Sequence, residues 1–408
     1  MTPPLILAPF VLLLLAIALG PLCFPAFWSR HYPKVCGALA LLVVAVYLLV
    51  LHNPARVWET ASQYLTFIVV VGSLFVVSGG IHITVKGGAT PVANVLFLLA
   101  GAVAANLLGA IGASMLLIRP WLRLNRPHFA PRHVAFFIFL VSNVGGCLTP
   151  LGPPLLLGYT LGVPFWWTTT RCLPAWAVAV ALLLIIFYIL DKRACQPAAA
   201  QHVSERWRFE GLFNLFFLAV ILAAMAVNHP HFLREAIMLA AALASWFTTG
   251  KAIHRENHFH FEPLKEVAIL FFAIFATMMP ALDWLQAHAA SLPAAGPATY
   301  YFGAGTLSSV LDNAPTYLCF LQAALSANHA TLPQLISDPQ LAAYLVAISV
   351  GSVFFGASTY IGNAPNFMVK AIADHQKLPT PGFLEYMWRF TLPFLAPTLL
   401  LVGLLFFR

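Results

Sequence analysis

Asp312 stands in Ser308-Ser309-Val310-Leu311-Asp312-Asn313-Ala314-Pro315-Thr316, a polar and proline-broken patch between apolar runs. A carboxylate at membrane depth costs about 3 kcal/mol even on lenient insertion scales, so it is kept only where it faces a bundle interior or an aqueous pathway. Beside a helix-breaking proline and small polar side chains, this one has the chemistry of a cation or proton site. One carboxylate that takes Na⁺ or H⁺, each displacing the other, is enough to exchange them.

Two further polar stretches interrupt apolar spans. The first is Ser142-Asn143-Val144-Gly145-Gly146-Cys147-Leu148-Thr149-Pro150-Leu151-Gly152-Pro153-Pro154, and the second is Gly356-Ala357-Ser358-Thr359-Tyr360-Ile361-Gly362-Asn363-Ala364-Pro365-Asn366. The three prolines and three glycines of the first do not permit a continuous helix. Unwinding frees backbone carbonyls, which can hold Na⁺ together with Ser, Thr and Asn oxygens. The N-termini of the half-helices can face an anion. A lone kinked helix packed through small residues would be a structural feature only. Two interruptions in corresponding places, each after a polar hairpin, point to a site.

The remaining charges read as peripheral. Glu59, Asp191, Glu205, Glu210, Glu256, Glu262, Asp338, Asp374 and Glu385 fall in loops, and Glu235 and Glu266 begin helices. Asp283 reads as an interfacial cap, and Arg119 and Lys370 as cations that snorkel to the interface. His254, His258 and His260 belong to a solvated cytoplasmic loop, without the cysteines or paired acids of a metal site. The six cysteines have no C-x-x-C spacing, which excludes a zinc or disulfide framework. No phosphate-binding loop, nucleophile elbow or dinucleotide fingerprint occurs. The chain therefore reads as neither an enzyme nor a nucleotide-driven pump, and it needs no cofactor.

Composition sets the elements that must position these residues. Hydrophobic residues make up 61% of the chain and charged residues 8%, against roughly 25% charged in soluble domains. Spans of about 20 apolar residues recur along it, as in an all-α polytopic membrane protein. The net charge of +8 sits in short loops between spans. It orients the chain rather than binding nucleic acid. Leu5 to Leu19 follows no basic n-region and reads as a retained helix.

With the Arg- and Lys-rich loops in the cytoplasm, the N-terminus lies outside. Residues 91–118 must then begin and end inside, yet two full crossings need roughly 40 residues. The segment is expected to be a re-entrant hairpin. Residues 299–325 form its counterpart, opening outside with Asp312 at the turn. The expected organisation is a first repeat over 1–190, with its interrupted helix at 134–160. A cytoplasmic linker covers 191–210. A second repeat of opposite orientation covers 211–408, with its interrupted helix at 341–369. About ten spanning helices result, and repeats of this kind are the architecture of secondary transporters.

The motifs Asn106-Leu107-Leu108-Gly109, Gly112-Ala113-Ser114, Ser142-Asn143-Val144-Gly145-Gly146, Leu311-Asp312-Asn313-Ala314-Pro315 and Gly362-Asn363-Ala364-Pro365-Asn366 resemble the ion transporter superfamily. The nearest likeness is to NhaD-type sodium/proton antiporters and citrate-transporter-like proteins. Arsenite permeases and divalent-anion/sodium symporters are more distant. The resemblance implies an elevator-type transport domain on a scaffold that dimerises. It places Asn106, Ser114, Ser142, Asn143, Thr149, Asp312, Asn313, Ser358, Thr359 and Asn363 at the site, with Na⁺ held by Asp312, Asn313, Ser142 and Asn143. Two departures stand out. The Ser-Asn-Thr signature of the symporters is missing at both hairpin tips, and Pro153 stands where the antiporters carry an acid. The resulting expectation is a Na⁺/H⁺ antiporter in a bacterial inner membrane, with Na⁺ and H⁺ as cargo and lipids and a second copy as partners. The alternative is a Na⁺- or H⁺-coupled symporter of citrate, a dicarboxylate or another oxyanion.

Overall fold

The computed structural model describes residues 4–84, 89–194, 208–225, 227, 232–257, 259–289, 296–311 and 313–408. Asp312, Cys195, Glu205 and His258 therefore lie outside the described residues. Proline at the first helical turn begins many elements, because its missing N–H would be unbonded there in any case. Helices α1 (Ala8–Cys23) and α2 (Pro25–Ala45) pair near the N-terminus. Helix α3 (Pro54–Gly79) is capped by Asn53, which accepts from the Arg56 N–H at 3.1 Å. Helix α4 (Pro91–Asn125) is capped in the same way by Thr90, which accepts from Ala93 at 3.2 Å.

Helix α4 does not run straight. At Gly109 the backbone takes φ 71° and ψ 158°, a region open to glycine alone. The chain doubles back there. Asn94 Nδ2 donates to Asn125 Oδ1 at 2.8 Å, although a straight helix would hold the two about 46 Å apart. The Phe97 and Trp121 rings meet at 5.2 Å between the same two arms. Any Cβ at 109 would also fall 2.6 Å from the Leu151 carbonyl oxygen.

Helices α5 (Pro131–Leu140) and α6 (Pro153–Leu161) are separated by an unwound stretch, in which Asn143 leaves helical geometry at φ −137° and ψ −85°. Helix α7 (Phe165–Ala194) closes the first half. Strand β1 (His82–Thr84) pairs antiparallel with β2 (Arg208–Glu210), joining the halves.

The second half begins with α8 (Asn214–Ala224), α9 (Leu233–Thr248), the short α10 (Lys251–Glu256) and α11 (Glu262–Ala289). Helices α12 (Pro297–Ser308) and α13 (Asn313–Ala327) form a second fold-back, with the Tyr300 and Phe320 rings 6.3 Å apart. The short α14 (Leu332–Ser337) leads into α15 (Pro339–Phe355). A break follows, in which Thr359 and Asn363 are extended, and α16 (Ala364–His375) resumes. The chain ends in α17 (Phe383–Tyr386), a π-helix over Met387–Leu395 and α18 (Ala396–Phe406).

Among the described residues, seven helices are long and apolar enough to cross a membrane. One of the seven, residues 91–128, is the folded-back α4. Helices α1, α8 and α9 are shorter than the roughly 20 residues of a full crossing. With two three-residue strands besides among the described residues, the chain is a nearly all-helical polytopic membrane protein.

Several charges sit differently from their sequence reading. Asp191 is buried in the last turn of α7 and is not a loop residue. It accepts from Asn94 Nδ2 at 2.9 Å and faces Arg132 Nη2 at 3.0 Å and His133 Nε2 at 3.2 Å. Asp283 is not an end cap. Inside α11 it takes Arg56 Nε at 2.8 Å and the Tyr47 hydroxyl at 2.5 Å. Arg119 does not snorkel. It is only 3% exposed, with its guanidinium over the rings of Phe75 (5.0 Å) and Phe259 (5.6 Å). His254 is half-buried against Trp246 and Phe259 rather than solvated. For Asp191, Asp283 and Arg119 a partner distant in sequence supplies the shelter.

Candidate functional site

The two breaks and the two hairpin tips meet at one place. At the first break, Thr149 Oγ1 donates to the Asn106 carbonyl at 2.6 Å, and Asn106 Oδ1 accepts from the Leu148 N–H at 2.9 Å. The hairpin tip is thereby tied to the unwound chain. At the second break, Thr359 Oγ1 donates to the Ser309 carbonyl at 2.5 Å and accepts from the Gly362 N–H at 3.0 Å. Gly146, Thr149 and Gly152 are matched, at one constant offset, by Gly356, Thr359 and Gly362. The freed carbonyls are matched too. Leu148 O accepts from Thr169 Oγ1 at 2.7 Å, and Ser358 O accepts from Thr391 Oγ1 at 2.9 Å.

Between the breaks lies a cluster of buried amides. Asn143 Nδ2 donates to Asn366 Oδ1 at 2.7 Å and to the Ile138 carbonyl at 2.9 Å. Asn363 Nδ2 donates to Asn143 Oδ1 at 3.0 Å and to the Ser142 carbonyl at 3.1 Å. Asn366 Nδ2 bonds to the freed carbonyls of Gly356 and Thr359, both at 2.8 Å. Asn313 joins from the second hairpin, with its amide nitrogen turned to Gly362 O at 2.8 Å and Ser352 O at 3.2 Å. Gly356 is the contact point: a Cβ there would lie 2.5 Å from the Asn313 amide and 3.0 Å from Asn143 Oδ1. Only a residue without a side chain lets the two amides approach this closely.

Of the residues named from sequence, Ser142, Asn143, Asn313 and Asn363 come together here. Ser114 reaches the same network through Ser142, Oγ to Oγ at 2.8 Å. Asn106 and Thr149 form the separate first-tip pair, and Thr359 lies in the second. Ser358 contributes its carbonyl. Asn366 was missed, although it bridges the two breaks. Its only signal is its place just after the break, where the start of α16 turns it back onto Gly356. Among the described residues, no group of three or more His, Cys, Asp or Glu side chains could hold a metal ion.

A cavity of about 810 Å³ leads to the cluster. Asn363, Ala364 and Ala314 line its buried end, Glu59 and Gln63 line its exposed end, and Arg234 and the buried Glu235 also line it. Glu235 is held there by Thr66 Oγ1 at 2.6 Å and Arg234 Nε at 2.9 Å. Ala314 and Ala364 belong to the first turns of α13 and α16, whose N-terminal N–H groups carry positive partial charge. Leu156 and Leu157 of α6 form a nearby wall.

Packing closes the opposite end of the first hairpin. Arg123 donates to the Ile83 carbonyl at 3.0 Å and contacts His82 Nε2 at 3.2 Å and the Asn257 amide. Burial and the neighbouring Arg123 lower the His82 pKa, against the opposite pull of Glu256 and Glu210. Burial lowers the His254 pKa as well.

A many-helix membrane protein with a buried polar cluster at two helix breaks has the build of a solute transporter. The family model described as "Putative citrate transport" matches residues 1–407. The chain belongs to this citrate transport family of the ion transporter superfamily. Family and fold together point to a transporter and away from an enzyme. No curated protein matches the chain.

Proposed function

We propose that the protein is a secondary active transporter that moves citrate or a related carboxylate together with Na⁺ or H⁺ by alternating access. One observation carries this reading. The N-terminal turns of α13 and α16 meet at the buried end of the cavity, beside the Asn363 amide. Helix N-termini are ready-made ligands for a carboxylate. The family's description agrees with an anionic substrate. Asp312 lies next to Asn313 in sequence and serves the coupling cation, with Asn313, Ser142 and Asn143 completing a Na⁺ site. No cofactor takes part.

The constant offset between the two breaks supports an inverted repeat, with α4 and the α12–α13 pair as re-entrant hairpins. Both hairpins and both interrupted helices move together in an elevator step, against a scaffold that includes α3, α9 and α11. The cavity supports this division, since Thr66 and Phe275 line it from the scaffold, and Ile111 and Asn363 from the moving part. In a bacterial inner membrane with the N-terminus outside, this cavity is the external vestibule. The scaffold joins two copies.

A second reading is Na⁺/H⁺ antiport, with Asp312 binding the two ions in turn. It draws on Asp312 as a lone carboxylate beside Asn313 in sequence; at the cavity, Glu59 and Glu235 are each paired, with Arg56 at 3.0 Å and Arg234 at 2.9 Å. Purified protein in liposomes with an internal pH dye separates the readings. Under a Na⁺ gradient, uptake of labelled citrate or succinate is expected, lost in Asp312→Asn and weakened about tenfold in Asn363→Ala through removal of one buried amide. A pH change driven by Na⁺ alone, with no uptake of either anion, replaces symport with antiport.

A further inference from the structure

We propose that the basic end of the molecule carries a binding site for one anionic glycerophospholipid, at a cavity between α5, α7 and the π-helix Met387–Leu395. The cavity has a volume of about 250 Å³ and includes Arg132, Arg389, Leu190, Phe390 and Phe394 in its lining. Two arginines therefore line an otherwise apolar hollow. Arg132 spends Nε and Nη2 on Asp191 Oδ1. Arg389 spends Nη1 on Glu385, a partner 44% exposed and so weakly held. Each guanidinium has five N–H donors, so both keep capacity for a phosphate.

The surroundings select a lipid over a soluble anion. Trp388 is 77% exposed and Leu392 53% exposed on the same π-helix as Arg389. In a membrane protein such a surface faces acyl chains, and an exposed Trp beside an Arg marks the headgroup level. A phosphate at the two guanidinium groups would leave its acyl chains along Phe394 and Leu392. Lys192 and Arg193 end the neighbouring α7 and add positive charge. Basic hollows between helices, on the side rich in Lys and Arg, suit anionic headgroups.

The site bears on the second break and on the base of the first hairpin. From the helical stretch that carries Arg389, Tyr386 donates its hydroxyl to the Ala357 carbonyl at 2.7 Å, and Thr391 donates to Ser358. Arg132 reaches the base of the first hairpin through Asp191 and Asn94. A bound lipid thus braces the second break and the base of the first hairpin.

Native mass spectrometry of the full chain, released from detergent with phosphatidylglycerol or phosphatidylcholine, tests the proposal. The wild type is expected to retain phosphatidylglycerol preferentially. Arg389→Gln should cut that preference about fivefold, the effect of one basic side chain near an anionic surface. Arg389 is exposed, so this variant folds; its unfolding midpoint without added lipid is the control. Equal retention of the two lipids overturns the proposal, and so does an unchanged preference in Arg389→Gln. Inorganic phosphate is the third probe. If it alone raises the unfolding midpoint as much as phosphatidylglycerol does, the site takes a soluble anion and the lipid assignment falls.

Discussion

The two hairpins share a shape and differ in what holds it. The arms of the first are joined at their base by a buried polar network of Asn94, Asn125, Asp191, Arg132 and His133. The second relies on rings. Tyr300 packs edge-on against Tyr344 at 5.1 Å, and Tyr301 stacks on Phe407 at 4.7 Å and meets Phe355 at 5.3 Å. Their tips differ as well. The first turns through one glycine, whereas the second ends α12 at Ser308 and restarts helix at Asn313. Three of the four clustered amides, Asn313, Asn363 and Asn366, come from the second half. One geometry is thus held by charge where little chemistry is done, and by apolar packing where the polar groups are needed for the site.

Breaking the ionic base should have the largest effect. Asp191→Ala leaves Arg132 and His133 without their buried partner, a loss of about 3–5 kcal/mol. Tyr301→Phe in the second hairpin removes only the 3.0 Å bond to Leu399 O, worth about 1 kcal/mol. Unfolding midpoints of the purified variants in detergent should separate widely; equal losses would erase the distinction between charge and packing. Next come the turns. Gly109→Ala adds about 1–3 kcal/mol of backbone strain to its clash with Leu151 O. Gly305→Ala, inside α12, meets the Phe355 ring at 2.5 Å but carries no backbone strain, so its midpoint should fall less. The smallest effect tests the likeness itself. Thr149→Val removes one hydroxyl tie between tip and break and should cost about 1 kcal/mol, and Thr359→Val removes the matching tie together with the bond from the Gly362 N–H and should cost about 2 kcal/mol. A loss confined to one of the two would show that the matched bonds are not equivalent.

How much of this was legible in the sequence depended on whether the signal was local. The breaks were legible because proline and glycine act where they stand. Asn143, Asn313 and Asn363 were legible because an amide inside an apolar span is conspicuous. Asn366 was not, since its meaning depends on the direction in which α16 restarts. The burial of Arg119, Asp191 and Asp283 was hidden for a related reason. Charge and hydropathy give the depth of a residue along a span, but the neighbour that covers it comes from elsewhere: Phe259 for Arg119, Asn94 for Asp191, Tyr47 for Asp283.

The position of Arg119 bears on how the chain is made. Of the two rings that meet its guanidinium, themselves 5.0 Å apart, Phe75 leaves the ribosome earlier, but Phe259 emerges only after the whole first half and the start of the second. Until then the new hairpin holds a guanidinium with only one of its two rings in place. Insertion of the first half is therefore provisional, and a chain truncated before Phe259 should be a poor substrate for stable membrane integration and a ready one for quality-control proteolysis.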